Sequence, residues 1–83
     1  MGPFNDWQDV EEWLEPLDYE AFWREIAAFQ PEIQSRESCD EQIAAGIVDE
    51  ATVLEVLKRF VWLELIERYS LRPRDRMPVY SLH

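Results

Sequence analysis

Hydrophobic residues recur at helical spacing near the start of the chain and predict a first helix there. Its apolar positions are Trp7, Val10, Leu14 and Leu17. Asn5 or Asp6 can cap its N-terminus, because a short polar side chain accepts from a free amide of the first turn. Pro16 is expected to end the regular part, because a proline inside a helix removes a backbone hydrogen bond.

A second apolar pattern predicts a helix from Tyr19 to about Phe29, capped by Asp18. Its buried stripe consists of Tyr19, Phe22, Trp23, Ile26 and Phe29. Pro31 is expected to close this helix, since the residue before a proline is pushed out of the α region. Residues 31–37 are mostly polar and predict a loop.

The middle of the chain has the pattern of a helix-turn-helix unit. Ser38 and Glu41 have the spacing of a capping box, which predicts a short helix from Ser38 to Ala45. Gly46 follows where a left-handed residue commonly ends a helix, and Asp49 can cap the next one. The predicted core positions of that next helix are Val53, Val56, Leu57, Phe60 and Leu63.

The C-terminal third of the chain has two interpretations. Residues 65–69 can form a strand, residues 71–77 are rich in Arg and Pro, and residues 79–82 alternate between apolar and polar side chains, which predicts a β-hairpin. Alternatively, one helix runs from Glu50 to Tyr69 without a hairpin, because Leu, Glu, Lys and Arg all favour helix there.

The string LKRFVWLELIERYSLRPRDRMPVYSL resembles the end of the recognition helix and the wing of MarR-type winged-helix regulators. Three pieces carry the resemblance, which covers roughly residues 38–83: a helix end at residues 57–60, a strand at residues 65–68, and a hairpin tip at residues 72–76. It implies a mainly α, winged-helix-like domain with a small C-terminal β-hairpin. The long dimerisation helices of that family are absent, and Glu64 replaces the usual glycine before the first wing strand.

The whole chain is therefore expected to be a single domain, residues 1–83. Residues 4–17 would be an N-terminal helical extension, and residues 18–83 the winged-helix-like core. An all-α helical bundle is the alternative fold.

The charge of the chain is strongly negative and unevenly distributed. Eighteen acids face eight bases, for a net charge of −10. Residues 1–57 carry fifteen acids and two bases, whereas residues 58–83 carry six bases and three acids. Such a field repels nucleic acids and anionic membranes at long range and attracts basic surfaces.

The resemblance would put acids on the surface that reads DNA. Glu55 stands where the family commonly has an arginine or a polar contact, and Asp49 and Glu50 begin the helix that enters the groove. Carboxylates facing phosphates would mostly repel. Asp40 and Glu41 extend this predicted acidic surface. If DNA were nevertheless bound, the contacts would come from Lys58, Arg59, Arg72, Arg74 and Arg76.

A second apolar stripe lies beside the predicted core stripe of the long helix. It consists of Leu54, Val61 and Leu65, with Trp62 next to it. A helix that is apolar on more than one face is either buried more fully or meets a partner. One hypothesis is an exposed protein-binding patch anchored by Trp62, since tryptophan is a favoured interface anchor. The other is that the N-terminal helix of the same chain covers the stripe.

The sequence contains no constellation typical of an enzyme. The single histidine is His83 and the single cysteine is Cys39, which leaves no nucleophile–histidine–acid set and no zinc-binding set. Glycines stand only at Gly2 and Gly46, which is too few for a phosphate-binding loop. We therefore expect a non-catalytic protein without cofactor or metal. A lone cysteine and the absence of a long apolar run favour a cytoplasmic protein without membrane contact.

Three functions remain. The first is a regulatory or inhibitory protein that binds a basic protein partner through an acidic and aromatic surface. A special form is a nucleic-acid mimic of the kind found among small phage-type inhibitors. The second is a winged-helix DNA-binding regulator, acting as a homodimer through its arginine-rich wing. The third is a small structural subunit of a larger assembly.

Overall fold

A computed structural model describes residues 3–71 as four α-helices. Helix α1 spans Trp7–Leu14, α2 spans Tyr19–Ile26, α3 spans Arg36–Ala44 and α4 spans Glu50–Arg68. No β-strand occurs in these 69 residues. This part of the chain is therefore mainly α, in agreement with the all-α alternative.

The first two helices begin as the sequence predicts. The side chain of Asp6 accepts from the amide of Asp9 at 3.1 Å, and that of Asp18 accepts from the amide of Ala21 at 2.8 Å. Helix α2 is shorter than predicted. It ends at Ile26, whose carbonyl accepts from the amide of Phe29 at 2.9 Å in a tighter turn.

Helix α3 begins earlier than predicted, so the expected capping role of Ser38 is wrong. Ser35 is the N-cap, and its hydroxyl accepts from the amide of Ser38 at 3.1 Å. Both serines are suitable caps. Cys39 of this helix lies in the core, where it is 1% exposed. The end of the helix is as expected, since Gly46 has a φ of +77° and the amide of Ile47 donates to the carbonyl of Gln42 at 3.1 Å.

Helix α4 is continuous through the segment where a first wing strand was predicted. That strand prediction, residues 65–69, is wrong: Leu65 to Arg68 are helical and Tyr69 is the C-cap. Neither glycine nor proline interrupts the sequence between Gly46 and Pro73, so nothing local forces a turn at Glu64. The expected hairpin tip at residues 72–76 and the second strand at residues 79–82 lie outside the described residues.

The C-terminus of α4 is closed by a Schellman turn. Ser70 adopts a left-handed φ of 56°, and the amide of Leu71 donates to the carbonyl of Ile66 at 2.9 Å. Both Leu71 and Ile66 are buried, which is the apolar contact that accompanies this motif.

Helix α4 is the central element, and α1 and α2 both pack against it. The core is drawn from every helix and consists of Val10, Leu14, Tyr19, Phe22, Ile26, Cys39, Val53, Leu57, Val61, Leu65, Ile66 and Leu71. Aromatic rings close one side of it, namely those of Phe4, Trp13, Phe29 and Tyr69, with neighbouring centroids 5.3–6.5 Å apart. Such tilted ring pairs add to the energy of area burial.

Three polar contacts tie loops and helix ends to α4. The ammonium of Lys58 donates to the carbonyl of Glu15, the C-cap of α1, at 2.9 Å. Arg68 donates to the carbonyl of Phe29 at 2.8 Å and pairs with Glu64 at 2.6 Å. Glu64 also accepts from the amide of Glu32 at 2.9 Å. The residue that replaces the expected wing glycine thus holds the α2–α3 loop on a continuing helix.

Candidate protein-docking surface

One face of α4 carries three large apolar side chains that face solvent. They are Val56, 47% exposed, Phe60, 55% exposed, and Leu63, 47% exposed. Spacings of four and three residues put them in one row along the helix, and we call this row the α4 seam. The sequence predicted Val56, Phe60 and Leu63 to be core positions, and this prediction is wrong for all three.

The predicted protein-binding stripe lies on the opposite, covered side of the helix. Val61 and Leu65 are 0% exposed, and Leu54 and Trp62 are half-buried and pack against the core. The ring of Trp62 meets that of Trp7 at an interplanar angle of 88° with centroids 6.3 Å apart. The four residues therefore do not form an exposed patch. The other hypothesis was that the N-terminal helix of the same chain covers this stripe. The packing of α1 on α4 confirms it.

The α4 seam rests on a well-anchored helix. Asp49 caps its N-terminus by accepting from the amide of Thr52 at 3.0 Å. The hydrogen bond from the Thr52 side chain is the main cause that holds the pKa of Asp49 below its ordinary value, and the Thr52 amide adds to it. With the opposite face buried and both ends closed, the three apolar side chains are presented in a fixed arrangement.

Acidic side chains far outnumber basic ones over the described part of the chain. The described residues carry seventeen acids and five bases. Of the predicted acidic surface, Asp40, Glu41, Asp49, Glu50 and Glu55 are all exposed. Glu67 is exposed as well and extends the row of the seam by one turn beyond Leu63.

Most cations of the described chain are already engaged within it. Arg24 lies 3.9 Å from Glu25, Arg36 pairs with Glu20 and Asp40, and Arg68 pairs with Glu64. Of the predicted nucleic-acid contacts, Lys58 is engaged with the end of α1, and Arg59 is exposed beside the seam. The remaining three, Arg72, Arg74 and Arg76, lie outside the described residues.

A second polar cluster joins α2 to α3 and was not predicted from the sequence. The hydroxyl of Tyr19 donates to Asp40 at 2.6 Å. The guanidinium of Arg36 lies 5.4 Å from the centre of the Tyr19 ring, and its Nε lies 3.5 Å from the other oxygen of Asp40. Tyr19 and Asp40 are 21 residues apart, so only the packing of the two helices brings them together. Asp40 is thereby partly used for structure.

The alkaline stability of the protein should depend on Tyr19. Burial, followed by the hydrogen bond to Asp40, raises the pKa of Tyr19 from 10.0 to about 12. A raised pKa in the folded state means that the stabilisation is complete below pH 10 and is lost as the pH rises towards 12. Between pH 9 and pH 11 the free energy of unfolding should fall by about 1 kcal/mol through this group. Denaturant unfolding at several pH values measures it.

Tyr19→Phe is the matched variant, because it keeps the ring and removes the titrating hydroxyl. It should be less stable than the parent at pH 7 and should lose less stability between pH 9 and pH 11. If both proteins lost the same free energy of unfolding between pH 9 and pH 11, groups other than Tyr19 would be its cause.

Comparisons with known proteins give no relative. No protein-family profile matches the chain, and no curated protein and no solved structure is similar to it. Among the described residues, no helix combines the length and apolar character that a membrane crossing requires. The same residues hold no group of three or more His, Cys, Asp or Glu side chains arranged to bind a metal ion.

Proposed function

We propose that this chain is a non-catalytic interaction protein that binds a protein partner with a basic surface. The single observation that carries the proposal is the α4 seam, an ordered apolar row on a surface that is otherwise acidic. Contiguous exposed apolar side chains with a polar rim are a common feature of protein-binding sites.

The distribution of exposed apolar side chains supports a specific site. Four large hydrophobic residues are exposed among the described residues, and three of them form the seam; the fourth is Ile47. Single exposed apolar residues are ordinary, whereas a contiguous row of three makes a candidate binding site. Phe60, at the middle of the row, is the expected anchor, since aromatic side chains near the centre of an interface contribute most to binding.

The charge supports a basic partner. Seventeen acids against five bases give the described part a net charge of −12. Such a field speeds encounter with basic surfaces and disfavours acidic ones. In the special form of nucleic-acid mimicry, the carboxylates would stand in for phosphates, and binding would then weaken steeply as salt rises.

The structure offers less support for DNA binding. Lys58 is bonded to the end of α1, and the segment proposed as the first wing strand is helical. A gel shift against random duplex at low salt tests this alternative, because nonspecific binding should appear there and fall steeply with added salt. We expect no shift, and a salt-sensitive shift would favour the DNA-binding alternative.

The test of the proposal compares two baits in a nuclease-treated native lysate. One is the full chain, and the other is the full chain with Phe60→Gln and Leu63→Gln, both at exposed positions. We expect a basic protein to be retained by the first bait and lost from the second, and the pair to reassemble from purified components. Identical retention by both baits, or retention that nuclease abolishes, would contradict the proposal.

A further inference from the structure

The shape of the α4 seam restricts what can bind along it. Val56 and Leu63 are seven residues apart, which corresponds to a rise of about 10 Å along a helix. The seam is thus a ridge of two helical turns. A ridge of this kind fits into the groove between the side-chain rows of another helix, at a separation of about 8–10 Å between the two axes.

An extended peptide would gain much less from the same surface. Extended peptides bind chiefly by adding a strand to a sheet edge, where free backbone amides and carbonyls are available. The seam lies in the middle of α4, where the backbone groups are bonded within the helix. A partner helix satisfies its own backbone in the same way, so it can cover the seam without leaving polar groups unpaired.

Charge along the seam specifies the flanks of that partner helix. Glu67 follows Leu63 by four residues and Asp49 precedes Val56 by seven, so these two carboxylates lie at the two ends of the row, and both are exposed. Arg59 is the one exposed base along α4 between Val56 and Leu63. A second copy of this chain would bring two net charges of −10 together, which opposes association.

Building on the function proposed above, we propose that the α4 seam binds an amphipathic α-helix of the partner, in which a row of apolar side chains spaced by three and four residues is flanked by Arg and Lys. The apolar row packs between Val56, Phe60 and Leu63, and the basic flanks face the carboxylates of Asp49 and Glu67 at the two ends of the row. The paired charges stay at the rim, where they steer encounter and orientation more than they add affinity.

Three synthetic peptides of about 18 residues, long enough for five helical turns, test the proposal with the full chain. The first has leucine at helical spacing and lysine elsewhere. The second has the same composition in strict alternation, which suits a strand. The third has the helical order with glutamate in place of lysine. Calorimetry at physiological salt should show binding of the first, at least about tenfold weaker binding of the second, and none of the third.

Matched variants of the full chain locate the binding site. Phe60→Gln should weaken binding of the basic helical peptide by at least about tenfold, as expected for an interface anchor. Ile47→Gln changes an exposed apolar residue outside the seam and should leave binding unchanged. Arg59→Glu removes a repelling cation and should strengthen binding by about threefold, more at low salt. Thermal melts confirm that each variant remains folded.

The outcomes separate this inference from the function on which it depends. If both basic peptides bind equally, or if Phe60→Gln has no effect, the helical partner on the seam is refuted, while a basic partner remains supported. If neither basic peptide binds, both proposals are refuted. If the full chain alone sediments as a dimer and Phe60→Gln makes it monomeric, a second copy occupies the seam and the inference is overturned.

Discussion

Leu65→Ala is expected to destabilise the protein by about 3–4 kcal/mol, because it empties a fully buried site in the core. Leu65 is 0% exposed and lies on the side of α4 that faces the rest of the core. A domain of this size is stabilised by only about 4–12 kcal/mol in total. The loss should lower the melting temperature by roughly 15–25 °C, and denaturant unfolding measures the free energy directly.

Leu63→Ala is the matched control, with the same chemical change two residues away in the same helix. Leu63 is 47% exposed, so this substitution should change the free energy of unfolding by no more than about 0.5 kcal/mol. The two variants together test which face of α4 is buried. A large loss of unfolding free energy for Leu63→Ala with a small loss for Leu65→Ala would show that α4 is rotated about its axis and buries its other face.

Trp62→Ala should cost about 3 kcal/mol, the second large effect that the structure predicts. The indole of Trp62 packs edge-on against that of Trp7 and joins the partly buried layer around the core. Removing it opens a cavity between α1 and α4 and deletes an aromatic pair. The expected fall in melting temperature is roughly 10–20 °C, whereas removal of a residue used only for binding would leave melting unchanged.

Trp62→Phe separates the ring from its N–H group. The indole Nε1 of Trp62 is buried and has no hydrogen-bond acceptor among the described residues. Replacing the indole by a phenyl ring keeps most of the contact area and removes a buried donor, so the cost should be about 1 kcal/mol or less. A loss as large as that of Trp62→Ala would mean that the N–H is satisfied by an acceptor outside residues 3–71.

Features that depend on a few neighbouring residues could be predicted from the sequence. The caps at Asp18 and Asp49 and the left-handed turn at Gly46 were correctly expected, and Asp6 is one of the two residues expected to cap α1. Each depends on one side chain and the amides two or three residues away. The cap of α3 was misplaced because Ser35 and Ser38 both suit the role, and local chemistry does not distinguish them.

The burial of α4 could not be predicted in the same way. This helix has apolar residues on nearly every face, so its periodicity indicates a helix without indicating which stripe is covered. The choice is made by α1 and α2, which both pack on α4 and leave Val61 and Leu65 buried and Phe60 outside. The predicted protein-binding patch is therefore covered, and a different apolar row of the same helix is exposed.

The prediction of a wing failed for a related reason. Residues 65–69 are apolar and charged in an order that suits a short strand as well as a helix, and short apolar runs are ambiguous in this respect. Glu64 and Arg68 form hydrogen bonds to the α2–α3 loop, and the continuous α4 helix places both side chains where they can do so. The partner of Glu64 is 32 residues away along the chain and that of Arg68 is 39 residues away, beyond the reach of any local pattern.

The sequence alone determined the mainly helical character of the chain up to Glu64, three of the four N-terminal caps and the acidic field, because each follows from nearby side chains or from composition. Tertiary packing decided which apolar row of α4 is buried, that Tyr19 reaches Asp40, and that Lys58 binds the end of α1. These outcomes depend on which surfaces meet. Burial of apolar area is non-directional, so the pairing of helices, and not the pattern on one helix, selects the face that stays exposed.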